Sequence, residues 1–345
     1  MGVCLSAGAQ MESSLSFRRY STQDGLPQMQ TERLWQDSRG YIYVGTLSGF
    51  ARFDGRTFTP FLKGRRFNMV EFAEVDNQVW ALDFRRRWRV GSDDAEPQPL
   101  DPMHARLLNN FNSSQLPDGY LLLEDEQESD RLLCRLTPQG LRHIVKCPLF
   151  DLMTPDRKML LDSSTLYIPT PRGLFSIRNG KVRRLSAKTD FYTLIRQDSS
   201  TLLAFAADGI YEGKSDTPHP PSGTSPNLGA EKGKNGVRSE ELGEFSMVSG
   251  QSFTDTSYGL IVRRNGANGE LVIADEHSLY IYNGQEVHTV ASEFNLIKDL
   301  LVDRWGRLWV ATYQGLYCFF NRGFTNHRLS DPDDIVRAIG VRSEE

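Results

Sequence analysis

The feature that most constrains the fold of this chain is an internal repeat. Residues 37–61 align without a gap with residues 303–327. Both segments contain a turn with glycine, a strand of alternating large residues, a second turn with glycine and an aromatic-rich strand. Weaker copies begin at Asp76, Asp118, Asp162, Asp198 and Asn268. The chain therefore contains seven copies of one supersecondary unit.

The spacing of the copies predicts the fold class. The central residues of the second strands are Tyr43, Trp80, Leu122, Tyr167, Leu203, Val272 and Trp309. Repeats of about 40 residues built from short strands are typical of propeller blades. One blade cannot cover its own apolar faces, whereas seven packed radially cover one another. We predict an all-β chain that forms a seven-bladed β-propeller of four-stranded antiparallel blades, rather than a β-sandwich.

The domain limits follow from the same alignment. The propeller is expected over residues 17–330, and residues 17–20 are expected to close the ring by pairing with a terminal blade. The interval between the fifth and sixth copies is too long, and residues 213–244 are rich in Gly, Pro, Ser and charge. We predict that they form a disordered insertion in blade five. Residues 331–345 resemble the start of a following, truncated blade, and residues 1–10 a signal-peptide remnant or a disordered terminus.

Composition and charge exclude several functions. Lys and Arg number 40 against 44 Asp and Glu, which gives a formal charge of -4. Because the charges are spread along the chain, no basic face is expected to bind nucleic acid. The sequence has no apolar run of about 20 residues, so the chain itself is not expected to insert into a membrane. The six histidines show no metal-binding spacing, and neither a metal nor another cofactor is expected.

The cysteines are expected to be free, buried thiols. Cys134 and Cys147 fall in neighbouring predicted strands joined by a turn. If Thr137 faces Gly140 across that turn, Cys134 lies opposite His143 and far from Cys147. The pattern therefore does not predict a disulfide between them.

The strongest copies carry a recognisable motif. The pattern D-x-x-G-x-[LI]-[WY]-V-[GA]-T-x-x-G-[LF], followed by F-D-G-x-x-F or its relatives, resembles the two-component regulator propeller repeat. Residues 20–27, YSTQDGLP, are similar to the segment that precedes the first blade in that family. The resemblance spans about residues 17–342 and is strongest in the first and last blades.

This resemblance implies a function in signal transduction. Such propellers form the extracytoplasmic, periplasmic half of hybrid sensor histidine kinases and are commonly tuned to oligosaccharides. The implied role is to bind a small-molecule or oligosaccharide ligand without catalysis, in a parent receptor that is a homodimer. The sequence contains no phospho-acceptor histidine region and no ATP-binding Gly-rich segment, so kinase activity is not carried over to it.

Candidate ligand contacts lie in the turns between second and third strands, which emerge on one rim of a propeller. These turns contain Leu47–Ser48, Phe84–Arg85, Glu126–Gln127, Pro171–Arg172, Ala207–Asp208, Glu276–His277 and Tyr313–Gln314. Such aromatic, cationic, acidic and amide groups can stack on sugar rings and bond their hydroxyls. A solvated rim without a ligand shows the same mixture. The predicted ligand-binding residues are Arg85, Arg86, Trp88, Arg172, His277, Tyr313 and Gln314.

Other repeated residues are expected to be structural. Trp80 and Trp309 occupy central strand positions and are assigned to the core. Thr46, Thr170 and Thr312 recur at strand ends, where a hydroxyl bonds the turn backbone. The aspartates that open each repeat are interpreted as turn formers.

Two alternative functions remain open at this stage. A propeller enzyme of the streptogramin-lyase or glycoside-acting type would need a clustered His or Tyr with carboxylates on one rim. His277 with Tyr313 is the candidate pair, and Glu276 with Asp208 or Glu126 the weak acid and base candidates. The other alternative is a ligand-free dimerisation platform. No catalytic residue is assigned.

Overall fold

The computed structural model describes most of the chain. The described residues are 16–64, 71–99, 105–107, 116–125, 131–146, 156–215, 245–266 and 268–320, with the single residues 149, 152 and 154. Four parts of the chain for which the sequence made predictions lie outside these residues: residues 1–10, the predicted blade start at 331–345, Cys147 and the turn Glu126–Gln127. Most of the predicted insertion also lies outside this part of the chain.

The described strands form seven four-stranded antiparallel sheets, which confirms the predicted fold. The first strand, β1 (Ser16–Tyr20), precedes a short 3-10 turn (Thr22–Asp24). Blade one contains β2 (Thr31–Gln36), β3 (Ile42–Thr46), β4 (Gly49–Phe53) and β5 (Phe58–Phe61). Blade two contains β6 (Glu71–Val75), β7 (Gln78–Leu82), β8 (Arg86–Val90) and β9 (Ala95–Pro99). Blade three contains β10 (Ala105–Leu107), β11 (Tyr120–Asp125), β12 (Arg131–Thr137) and β13 (Gly140–Lys146).

The remaining blades follow the same order. Blade four contains β14 (Leu160–Asp162), β15 (Thr165–Thr170), β16 (Gly173–Arg178) and β17 (Lys181–Ser186). Blade five contains β18 (Phe191–Arg196), β19 (Thr201–Ala206), β20 (Gly209–Lys214) and β21 (Ser246–Ser249). Blade six contains β22 (Ile261–Arg264), β23 (Leu271–Ala274), β24 (Leu279–Tyr282) and β25 (Val287–Ala291). Blade seven contains β26 (Ile297–Val302), β27 (Leu308–Thr312) and β28 (Gly315–Phe320), with β1 as its outermost strand.

The N-terminal strand closes the ring through the last blade. Strand β1 pairs antiparallel with β28, from Ser16 opposite Phe320 to Tyr20 opposite Leu316. The closure expected from the sequence therefore occurs at blade seven, which joins the two ends of the repeat array. Tyr20 is 5% exposed, and its ring lies 5.8 Å from that of Trp309 and 5.5 Å from that of Phe53.

The core is divided among the blade interfaces. Seven clusters of buried apolar side chains each join two neighbouring blades. The seven residues that anchor the sequence alignment are all buried. Trp309 is completely buried and Trp80 is 5% exposed, as the sequence predicted for both. From blade four through blades five, six and seven to blade one, the first strand of each blade contacts that of the next, which places these strands around a central channel.

Repeated polar residues hold the turns, as predicted. The hydroxyls of Thr46, Thr170 and Thr312 each donate to the carbonyl of the glycine that begins the next strand. Asp37 accepts from the backbone N–H groups of two residues in its turn, and Asp303 does the same in blade seven. These carboxylates pre-form the turns from which the site described below is built.

Two details of chain register can be compared with the sequence. Thr137 pairs with Gly140 and Cys134 with His143, as predicted, and Cys134 is a buried free thiol. The predicted insertion in blade five, residues 213–244, included two residues that belong to a strand instead. Gly213 and Lys214 lie in β20, because the ladder with β19 continues to the pair Thr201 and Lys214.

A glycine at a strand start provides a first test of the turn geometry. Gly49 has φ of 104°, and a Cβ there would lie 2.4 Å from the Phe61 carbonyl oxygen. Gly55 has a similar φ of 99° with open space around it. Gly49→Ala is therefore expected to lower the free energy of unfolding by about 1–3 kcal/mol more than Gly55→Ala, because only the former forces backbone apart. Urea unfolding measures both variants, and equal losses would contradict this geometry.

Candidate ligand-binding cavity

The central channel opens on two rims. The turns between first and second strands form one end, here called the first-turn rim. The turns between second and third strands, with the links between blades, form the other end, here called the second-turn rim. Successive antiparallel strands reverse direction, so the two sets of turns lie at opposite ends. The ligand contacts predicted from sequence were drawn from the second-turn rim.

A cavity of about 820 Å³ lies at the first-turn rim. Its size falls in the range of small-molecule sites. Five consecutive blades line it, from blade six through blades seven and one to blades two and three. The lining residues are Trp35, Gln36, Asp37, Ser38, Glu74, Asp118, Arg264, Gly266, Val302, Asp303, Arg304, Trp305 and Gly306.

Two tryptophans give the cavity an aromatic surface. Trp305 is 60% exposed although it sits in a tight turn. Its ring edge lies close over Gly40, where a Cβ would be 2.9 Å from the indole, and the Arg307 guanidinium lies 4.8 Å from its ring centroid. Trp35 is half-buried and stacks on Phe72 with a ring separation of 6.1 Å. An exposed, positioned indole beside polar groups is suited to stacking on a sugar ring.

Hydrogen bonds between blades fix the polar groups of the cavity. The Arg304 backbone N–H donates to Gln36 Oε1 at 2.9 Å, which joins blades seven and one. Ser38 donates from its N–H and its hydroxyl to the two Glu74 carboxylate oxygens, which joins blades one and two. The Glu74 N–H donates to Asp118 Oδ2 at 3.1 Å, which joins blades two and three. The polar wall is therefore largely ordered before any ligand arrives.

Asp118, which belongs to this wall, has a raised pKa. Desolvation by the surrounding protein raises its pKa to about 6, and the neighbouring Glu74 carboxylate acts in the same direction. Hydrogen bonds from the backbone N–H groups of Glu74 and Gly119 oppose this rise. The residue itself remains accessible to solvent. Its charge therefore changes between mildly acidic and neutral pH.

This shift gives a pH-dependent stability. An unfolded aspartate titrates near pH 4, so the folded state holds the extra proton between about pH 4 and pH 6. The stabilisation is complete below pH 4 and is lost as the pH rises through 6. We expect the stability of the wild type relative to Asp118→Asn to fall by about 1 kcal/mol from pH 4 to pH 7, since solvent screens the carboxylate. Urea unfolding at several pH values measures this difference, and a constant difference would contradict it.

Beneath the cavity, the channel contains a network of buried ions. Asp299 is 2% exposed and accepts from the Arg263 guanidinium at 2.6 Å and from the Leu34 N–H at 2.9 Å. Arg33 lies 3.9 Å from Asp299 and 3.8 Å from Glu71. Burial raises the pKa of Glu71, and Arg33 opposes that rise. The network joins first strands of blades six, seven, one and two.

A lysine also lies within this network. Burial, with the positive charge of Arg33 acting in the same direction, lowers the pKa of Lys158 to about 7. Asp156 and Asp299 act in the opposite direction. The channel between the two rims is therefore densely charged.

A loop crosses the channel at the second-turn rim. Gly259 lies directly against the backbone of Asp156, because a Cβ on Gly259 would be 1.8 Å from the Asp156 carbonyl oxygen. Tyr258 immediately precedes Gly259. The Lys298 ammonium lies 5.0 Å from the centroid of the Tyr258 ring and 5.2 Å from that of the Tyr313 ring. Lys298 pairs with Glu32 at 3.5 Å. This loop therefore reaches from the entry to blade four across to blade seven.

The structure removes one predicted contact from the rim surface. Trp88 is 3% exposed, lies on β8 within the core between blades one and two, and donates its indole N–H to Asp83. It is part of the core because the turn ends at Arg85 and the strand begins at Arg86. Arg85 and Arg86 are exposed, and their backbone N–H groups donate to Asp83.

The other predicted residues fall on the second-turn rim. Arg172 and Gln314 are exposed, whereas His277 and Tyr313 are half-buried. His277 Nδ1 lies 2.8 Å from the carbonyl oxygen of Phe294 in the link to blade seven. His277 and Tyr313 thus come from adjacent blades. They lie on the opposite rim from the cavity.

The sequence contained a signal for the cavity. The first turn of the first repeat is Asp-Ser-Arg-Gly, whereas that of the last repeat is Asp-Arg-Trp-Gly, with Trp305 in a position that faces solvent. A large aromatic residue in a turn held by an aspartate has no core role. The charged residues Arg264 and Arg304 gave no such signal, because charged turns are common on any surface.

Among the residues that the structure describes, no group of three or more His, Cys, Asp or Glu side chains is arranged to hold a metal ion. Within the same part of the chain, no helix combines the length and apolar character needed to cross a bilayer.

Comparison with known proteins identifies the fold. No family model matches this sequence, and no curated protein matches it. Among solved structures, the extracellular domain of a putative hybrid two-component system from B. thetaiotaomicron is similar, with a TM-score of 0.58 and 14% identity. The match covers 88% of this chain and 39% of that protein. This chain therefore spans well under half of that structure.

Propeller enzymes share the fold as well. Streptogramin B lyase matches with a TM-score of 0.57 and 10% identity, over 90% of this chain and 99% of the lyase. Virginiamycin B lyase from Staphylococcus aureus matches with a TM-score of 0.54 and 11% identity, over 89% of this chain and 98% of that chain. At such identities these similarities establish the architecture alone. The chain is a seven-bladed propeller of the architecture found in extracellular domains of hybrid two-component systems and in these lyases.

Proposed function

We propose that this chain is the extracytoplasmic, periplasmic ligand-sensing propeller of a hybrid two-component receptor, and that it binds an oligosaccharide without catalysis. The observation that carries the proposal is the cavity at the first-turn rim, where the exposed indole of Trp305 stands beside ordered polar groups. The similarity to extracellular domains of hybrid two-component systems supports the sensor class.

The arrangement suits a sensor because the cavity is shared among blades. A ligand that contacts Trp305 of blade seven, Gln36 of blade one and Glu74 of blade two would bind one relative position of those blades more tightly than others. Such differential binding shifts the population toward that position. In the parent receptor, which we propose to be a homodimer, this shift would be passed to the segments that follow.

Lyase activity is the second candidate, because lyases share the fold. A lyase would need a histidine and a tyrosine or carboxylate converging on one substrate. Here His277 Nδ1 lies 2.8 Å from the Phe294 carbonyl, which gives this ring nitrogen a structural partner. The ligand-binding proposal is therefore better supported by the geometry.

A thermal-shift screen of the purified chain against neutral, acidic and amino-sugar oligosaccharides tests the proposal. A ligand that binds the native state raises Tm, and at 100 times Kd it adds about 2.7 kcal/mol of stability. We expect a saturable rise of several degrees with at least one oligosaccharide, and no turnover when the mixture is analysed by mass spectrometry.

The other outcomes separate the alternatives. A cleaved or modified glycan would support the enzyme and contradict the proposal. A chain that dimerises in solution but shows no rise in Tm with any compound would support the ligand-free platform and would also contradict the ligand-sensing proposal.

A further inference from the structure

The cavity at the first-turn rim carries opposite charges on its two flanks. Arg264 of blade six and Arg304 of blade seven lie on one flank. Glu74 of blade two and Asp118 of blade three lie on the other. Blade one lies between these flanks and contributes the neutral side chains of Trp35 and Gln36. The polarity of the cavity therefore follows the order of the blades around the ring.

The guanidinium groups of Arg264 and Arg304 bind uncharged partners. Arg304 donates from Nη2 to two backbone carbonyls of the blade-one turn. Arg264 donates to the carbonyls of Gly269 and Arg196. Carbonyl oxygens orient a guanidinium without neutralising it. Burial lowers the pKa of Arg264, with no carboxylate acting against it.

The carboxylates on the other flank also have neutral partners. Glu74 accepts from the N–H and hydroxyl of Ser38, at 2.8 and 2.7 Å. Asp118 accepts from the Glu74 N–H and from the Trp35 indole. The charge on this flank is therefore oriented by neutral groups, and Arg39, which pairs with Asp37, also acts electrostatically on Glu74.

Two further aspartates of the lining do not contribute to this polarity. Asp37 is buried and pairs with Arg39 at 2.9 Å. Asp303 is buried and pairs with Arg307 at 2.6 Å. Each pair is neutral as a unit, so the unpaired charges of the lining are the two arginines and the two acids already named.

No ion pair in the described part of the chain joins one flank to the other, so the cavity lies between a cationic flank and an anionic flank. We propose that it takes an oligosaccharide that carries both a carboxylate and a free amino group, with the carboxylate against Arg264 and Arg304 and the ammonium against Glu74 and Asp118. This inference rests on the proposed oligosaccharide-binding function and specifies its ligand class.

The alternatives in ligand charge are less well accommodated. A polyanionic glycan would place negative groups against Glu74 and Asp118, where like charges repel. A neutral glycan would cover both charged flanks without providing counter-charges, and covering unpaired charges is costly. A ligand with both charges satisfies each flank.

Calorimetric titration of four disaccharides at pH 7 tests the inference. The four are a glucosamine–glucuronic acid disaccharide with a free amine, its N-acetylated form, the glucosamine dimer with free amines, and the neutral N,N'-diacetylated dimer. We expect the first to bind about tenfold more tightly than the neutral dimer, since each exposed ion pair contributes up to about fivefold. Salt should reduce this advantage through screening.

Three variants assign the charges. Arg264→Gln should reduce the gain in affinity that the ligand's carboxylate provides. Asp118→Asn should reduce the gain in affinity that its free amine provides. Arg172→Gln, on the opposite rim, should leave all four affinities unchanged. Arg264 is used in place of Arg304 because Arg304 also supports the blade-one turn, and unchanged Tm values for the variants confirm that they fold.

The outcomes distinguish this inference from the proposed function. If the neutral dimer binds as tightly as the disaccharide with both charges, the inference is overturned and oligosaccharide binding stands. If none of the four disaccharides binds but another glycan raises Tm in the screen, the inference is likewise overturned and oligosaccharide binding stands. If no glycan binds in either experiment, both fail.

Discussion

Asp299→Ala is expected to lower the free energy of unfolding by about 3–5 kcal/mol, because it leaves buried cations without their counter-charge. Asp299 accepts hydrogen bonds from Arg263 and from the Leu34 backbone, and so links blade seven to blades six and one. Chemical denaturation followed by tryptophan fluorescence measures the loss.

A double variant separates the charge from the packing. Removing Arg263 together with Asp299, as Arg263→Leu with Asp299→Leu, leaves Arg33 paired with Glu71. Replacing a whole buried pair by apolar groups is often close to neutral, so much of the lost stability should return. A single variant that loses less than about 1 kcal/mol would show that the channel ions do not hold the first strands together.

Deletion of residues 1–20 is expected to cost more than about 4 kcal/mol, because it removes the strand that closes the ring. Strand β1 forms a five-residue ladder with β28, and Tyr20 fills the core between blades seven and one. Truncating a buried aromatic residue alone costs about 3–5 kcal/mol. The deletion also leaves β28 as an exposed, aromatic edge strand that invites aggregation.

Deletion of residues 1–13 is the matched control, since it leaves β1 intact. Thermal melts by circular dichroism and size-exclusion chromatography should show a stable monomeric fold for the control and a lower Tm or aggregation for the longer deletion. Equal Tm values for the two chains would contradict closure through β1.

The fold could be predicted because its determinants repeat. Large residues such as Tyr43 and Trp309 must recur at the centre of each second strand, since every blade interface needs an apolar core. The glycines and aspartates recur because every blade needs the same tight turns. Even the pairing of Cys134 with His143 followed from one turn.

The site was harder to predict because it is where the repeats differ. A repeat locates a residue within its blade, but it does not show which rim holds a cavity. Trp88 illustrates a second difficulty, because alternate residues of a strand face opposite sides, and Trp88, three residues past the turn, faces the core between blades one and two. The cavity depends on residues that occur in one repeat and not in the others, such as Trp305. It also depends on charges that become neighbours only when blades six, seven, one, two and three stand side by side around the channel.

The most direct test of the account is to titrate the best oligosaccharide from the screen into wild type, Trp305→Ala and Tyr313→Ala by calorimetry. A cavity at the first-turn rim predicts that Trp305→Ala weakens binding at least about tenfold, because it removes the stacking surface, and that Tyr313→Ala has little effect. Full affinity in Trp305→Ala with loss in Tyr313→Ala would instead place the ligand at the opposite rim and contradict the assignment.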